Sequence, residues 1–214
     1  IGKWADREDN DQSGLMMNCV KGIIGERELK RARAAYYGLI THIDHQIGRL
    51  LQSLHDHDVL NDTIILFTSD HGDLLGDHNL FRKSLPYEGS INIPFILYDP
   101  GNILGLGQNK VISEPIELMD IMPTLLDMAD VQIPSTVEGR SILPLIREEE
   151  VEWREYIHGE HSYGSQSNHF IVTGKEKYIW YSQTGQEQYF DLEKDPQEIY
   201  DLVNDEGYKD RVKY

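Results

Sequence analysis

A chain of 214 residues, 39% hydrophobic and 27% charged, can bury a real core as one large domain or two small ones. Its formal charge of −17 and pI near 4.8 argue against nucleic-acid binding, which relies on clustered Lys and Arg. The same acidity repels anions at long range, so an anion site here needs a bound cation and local basic side chains. The longest apolar runs, such as residues 63–67, fall far short of the roughly 18 residues of a membrane-spanning helix, and nothing reads as a signal peptide. A start at Ile1 reads as a processed or excised piece, which leaves localisation open, with a periplasmic or secreted parent compatible. Cys19 is the sole cysteine, so an internal disulfide is excluded.

In chain order, Ala32, Tyr36, Leu39, Ile43, Ile47, Leu50 and Leu54 follow the three-and-four spacing of a long amphipathic helix over residues 28–55. Asn61 and Asp62 mark a turn or cap. Residues 63–68 then form a short β-branched apolar run of the kind buried in a parallel sheet. Residues 69–92, rich in Gly, Asp, His and Pro, lack either period and read as a long loop leaving that strand's C-terminal end, where α/β proteins place chemistry. A second strand is predicted at 93–98 and a helix at 117–129, with Pro123 in its early turns or kinking it. Beyond the charged run at 147–150, short segments around 156–161, 169–173, 177–181 and 188–191 predict an antiparallel sheet of hairpins, with Thr184 and Gly185 in one turn.

The chemistry concentrates in residues 68–78, TSDHGDLLGDH, and in Lys83. Asp70 and His71 offer a carboxylate and an imidazole side by side where a strand opens into a loop, an inventory suited to a divalent metal. The same pair also fits a local role, with Asp70 capping a turn and His71 bonded nearby. Among the other histidines, His42 and His45 fall at a packing or solvent boundary of the long helix. His55 and His57 suit that helix's C-terminal dipole. His158 and His161 read mainly as a strand edge, with a substrate-facing role left open, and His169 fits either.

The run at 68–78, Lys83, Pro86-Tyr87-Glu88 and Ile93-Pro94-Phe95 resemble the second signature region of sulfatases. Further blocks agree in order: Tyr36 and Tyr37 through Asp44 and Gly48, residues 120–126, Gly139 to Ser141, and residues 189–196. The resemblance implies the fold class α/β, as part of an alkaline phosphatase-like sandwich with a mainly parallel sheet and a small C-terminal antiparallel subdomain. Residues 1–146 would be the C-terminal part of the catalytic domain and 147–214 the subdomain. It also implies that Asp70 and His71 ligate Ca2+, that Lys83 reaches the sulfate oxygens, and that His78 either contacts substrate or orders the loop.

Sulfatases carry a C/S-x-P-x-R motif whose Cys or Ser becomes the formylglycine nucleophile, through which a covalent sulfate-enzyme intermediate forms. Cys19 lacks the Pro and Arg of that motif, and no Ser supplies it. The remaining metal ligands and the other basic residues around the sulfate would likewise lie outside this chain. The expectation is therefore a sulfuric ester hydrolase as the parent, with this segment inactive alone, its metal site weak or empty, and its substrate a sulfated small molecule or sugar. A phosphonate or phosphodiester hydrolase of the same superfamily, and a non-catalytic binding module, are the alternatives. A sheet cut from its other strands also predicts self-association.

Overall fold

The computed structural model describes residues 19–105, 109–162 and 167–213. The Cys19 side chain lies outside that description, although its backbone opens strand β1 (Cys19–Lys21). Helix α1 (Glu26–Asp56) has Glu26 and Glu28, of the sign the helix dipole favours, in its first turn and His55 in its last. The predicted apolar stripe is present, yet none of its residues is buried: Leu39, Ile43 and Leu50 are each more than half exposed.

Strands β2 (Ile65–Thr68) and β4 (Phe95–Tyr98) lie in the two apolar runs predicted as strands, and they pair with each other antiparallel rather than in a parallel sheet. Thr68 lies opposite Phe95, so the chain re-enters the sheet at the end where it left and needs no crossover helix. Nor is the pair buried on both faces, because Phe67, Ile96 and Tyr98 remain exposed. The loop between them is more ordered than its composition suggests. It contains β3 (Leu80–Arg82), paired antiparallel with β1, and the one-turn helix α2 (Glu88–Ile91).

A 3-10 turn at Leu118–Asp120 leads into α3 (Ile121–Met128). Pro123 sits in the first turn of α3, where its missing N–H costs nothing. Helix α4 (Leu143–Ile146) precedes the C-terminal meander of β5 (Ile157–His161), β6 (Asn168–Val172), β7 (Glu176–Tyr181) and β8 (Gln186–Asp191), antiparallel in that order as predicted. Gly185, in the β7–β8 turn, has φ 69°, a conformation that costs glycine little. Helix α5 (Lys209–Lys213) follows.

Two apolar clusters hold these elements. Leu74, Leu80, Leu85 and Tyr87 pack with Ile179 and Phe190, so the segment between β2 and β4 shares one core with the inner face of the C-terminal sheet. Ile142, Leu143 and Ile146 pack under Phe95, Leu97 and Trp153.

Candidate functional site

Beyond Thr68 the backbone turns sharply. The Ser69 hydroxyl donates to the His71 carbonyl at 2.7 Å, and the Asp70 carboxylate accepts from the His71 amide at 3.0 Å. His71 Nδ1 lies 2.7 Å from the Gly72 carbonyl, which can only accept. That bond assigns the proton to Nδ1 and leaves a lone pair on Nε2. Lys83 Nζ donates to that nitrogen at 2.5 Å, and Asp70 Oδ2 lies 3.5 Å from it. Asp70, His71 and Lys83, twelve residues apart at the extremes of the last contact, thus meet at one point. The Asp70 side chain is 83% exposed, so the cluster opens outward.

Two devices set this geometry. Arg82 and Ser84, on either side of Lys83, hold φ at 68° and 88°, a costly backbone state for residues with a Cβ. On the other side the Gly72 amide donates to the Ser90 carbonyl at 2.8 Å. A Cβ on Gly72 would stand 2.2 Å from the Gly89 carbonyl oxygen, so only glycine permits the loop to lie this close to α2.

His78 is placed apart from this trio. Its ring is buried, 5.1 Å from that of Tyr87, and its backbone is left-handed with φ 54°. Desolvation by burial lowers its pKa to about 4, against the opposing pull of Asp77. It lines a cleft with Arg33, Glu88 and Glu198, whose lining includes none of Asp70, His71 and Lys83. A cavity of about 680 Å³ between β4 and residues 109–112 also excludes all four.

The remaining histidines are on the C-terminal sheet or on α1. His158 and His169 stack with each other and His169 with Trp180, on the face turned away from the core. His161 lies opposite Asn168 at the end of the edge strand β5. His42 and His45 are exposed, and His57 Nδ1 bonds the Ser53 carbonyl at the C-terminus of α1.

Two charged groups escaped sequence reasoning. Lys177, fully buried, places Nζ 2.6 Å from Glu88 and 2.7 Å from Glu198, whose other oxygen accepts from the Glu88 amide. Burial pushes the Glu198 carboxyl up, and Lys177 opposes that shift. Asp120, also fully buried, accepts both arms of Arg154 at 2.7 Å and the amides of Glu117 and Arg140. Charged residues 21 and 89 apart, or 34 apart, have no local spacing to betray them.

Family comparison agrees with the motif over nearly the whole chain. The sulfatase family model matches residues 3–131, and the model for the C-terminal part of N-sulphoglucosamine sulphohydrolase matches residues 76–214. The chain belongs to the sulfatase family. This sulfatase chain is 60% identical over 214 residues to an arylsulfatase of Clostridium perfringens, covering all of this chain and 44% of that one. It superposes on the structure of a 2-O GAG sulfatase with a TM-score of 0.79, at 26% identity over 88% of this chain and 42% of the other. Against a phosphonate monoester hydrolase of Agrobacterium radiobacter the TM-score is 0.75, at 29% identity over 86% of this chain and 39% of the other. The sulfatase chain therefore spans less than half the length of these relatives, and its fold is the alkaline phosphatase-like α/β fold.

Sulfatases are generally metal-dependent, and the donors here fit part of a metal shell. Asp70 presents a hard, exposed carboxylate, and His71 presents a lone pair fixed by the bond from Nδ1. Among the described residues no three of His, Cys, Asp and Glu gather around one point.

Proposed function

We propose that the longer protein of which this sulfatase chain is part hydrolyses sulfate esters, with Asp70 and His71 as two ligands of a calcium ion and Lys83 as a sulfate contact. The convergence of a carboxylate, an imidazole lone pair and an ammonium on one exposed point carries the reading. When bound, a divalent cation supplies positive charge to the sulfate and to the attacking oxygen. The His71 lone pair can serve a cation or Lys83, not both. A lysine released from it has all three N–H donors for sulfate oxygens as negative charge develops on them.

The nucleophile, a formylglycine from a C/S-x-P-x-R motif, and the other metal ligands belong to the part outside this chain. His78, buried against Tyr87, orders the loop between Gly76 and β3. Residues 1–146 serve as the C-terminal portion of the catalytic domain and 147–214 as the antiparallel subdomain. The substrate is a sulfated small molecule or sugar, a class supported by the 2-O GAG sulfatase among the structural neighbours. With only part of the sandwich present, the chain alone associates with itself.

The likeness to a phosphonate monoester hydrolase favours one second reading, phosphonate ester hydrolysis at the same trio. Assays of the full-length protein on an aryl sulfate and an aryl phosphonate monoester separate the two. Higher kcat/KM on the sulfate, lost on chelation and restored by Ca2+, is expected. A preference for the phosphonate would overturn the sulfatase activity while leaving the family intact.

A further inference from the structure

Lys177 lies in β7, between β6 and β8, with its side chain fully buried and its ammonium held by Glu88 and Glu198. Such a group is a weak source of stability. Taking Lys177 and Glu198 out of water, and Glu88 in large part, offsets most of their attraction, and apolar replacements of similar volume often fold as well. What the arrangement does supply is a fixed position for Glu88. The second oxygen of that carboxylate accepts from the Asn92 side chain at 2.8 Å, and its backbone amide donates to Glu198 at 2.8 Å.

Glu88 opens α2, five residues after Lys83, and the residues between include Leu85, Pro86 and Tyr87, all buried. The Tyr87 hydroxyl donates to Gln188 of β8 at 2.7 Å, a second tie to the same sheet. Within α2, the Ser90 carbonyl holds the Gly72 amide, and the Gly72 carbonyl holds His71 Nδ1. Moving Glu88 therefore moves both sides of the contact between Lys83 and His71.

We propose that Lys177 is a positioning residue for the Asp70–His71–Lys83 cluster, acting through Glu88 to clamp the segment that carries Lys83 and braces Gly72. The proposal rests on the reading of that cluster as the sulfate site, and it assigns the C-terminal sheet a part in catalysis beyond packing.

The test compares Lys177→Met, Glu88→Ala and Glu88→Gln in the full-length protein. Kinetics on an aryl sulfate are combined with amide hydrogen exchange at Gly72 and, as a distant control, at Arg147, whose amide bonds within α4. Lys177→Met and Glu88→Ala are expected to lower kcat by roughly ten- to a hundredfold with KM within about twofold, the effect of a misplaced group rather than lost binding. Gly72 exchange should quicken by about tenfold or more while Arg147 exchange holds, which marks a local opening. Glu88→Gln, which keeps an acceptor for Lys177, should recover most of both.

Glu88→Ala leaves the Lys177–Glu198 pair intact and removes a side chain that is 23% exposed, so it decides the matter if Lys177→Met does not fold. A folded Glu88→Ala protein with unchanged kcat and unchanged Gly72 exchange overturns the proposal, as does equal loosening at Gly72 and Arg147. If the parent hydrolyses no sulfate ester, the sulfatase activity fails separately, and Gly72 exchange still decides whether the clamp exists.

Discussion

At His71 a single lone pair is contested. Its Nδ1 proton is committed to the Gly72 carbonyl, so Nε2 is left to Lys83 or to a cation. If Lys83 contacts the sulfate as proposed, replacing it with Ala should lower kcat/KM of the full-length protein on an aryl sulfate by roughly a hundred- to a thousandfold. Lys83→Arg should recover little, because a planar guanidinium does not reproduce a compact ammonium. His78 adds a pH-dependent contribution to stability. Its folded pKa of about 4 lies below the unfolded value of 6.5, so the unfolded chain binds more protons between the two. Its contribution to stability is therefore full at neutral pH and falls as pH drops through that window. Unfolding at pH 5 and pH 7 should differ by about 2 kcal/mol from this residue. In His78→Asn, whose side chain tolerates positive φ, that increment should vanish from denaturant midpoints compared at the two pH values.

At the scale of elements, α3 depends on a residue outside it. Asp120 caps the turn before the helix and ties Arg154 and the Arg140 amide to the same spot. Asp120→Ala would leave the Arg154 guanidinium, 12% exposed, without its principal partner. The expected loss is roughly 3–5 kcal/mol, read from the urea midpoint, since breaking one half of a buried pair costs more than the pair contributes. Asp120→Asn, which keeps two of the acceptor contacts, should lose less. The elements show how unevenly sequence discloses structure. Helical spacing located α1, short apolar runs located β2 and β4, residues 117–129 predicted the helix that contains α3, and short alternating or aromatic segments with a turn located β5 to β8, whereas β3 and α2 lie in a stretch whose composition predicts loop. The direction of β4 was not legible, because an apolar run is the same in either orientation and only the point of re-entry opposite Thr68 decides it.

For the molecule as a whole, large apolar side chains remain exposed on several elements. Leu39, Ile40, Ile43 and Leu50 of α1 are exposed, as are Phe67 and Ile96 across β2 and β4. Apolar area of this kind favours association. The 214-residue chain alone should therefore sediment as larger species with rising concentration, and Ile40→Glu with Ile43→Glu should shift it toward monomer. A concentration-independent monomer would show that the exposed stripe is harmless. The sequence by itself determined the family, α1, β2, β4, α3 and β5 to β8, and through the family resemblance it singled out Asp70, His71 and Lys83, because these rest on local order: motif, spacing and turn residues. Only the tertiary structure decided that β2 and β4 run antiparallel, that His78 stands apart from the trio, and that Lys177 is buried between Glu88 and Glu198. Those depend on contacts between residues far apart in the chain, and a buried charge is recognised by its partners rather than by its neighbours in sequence.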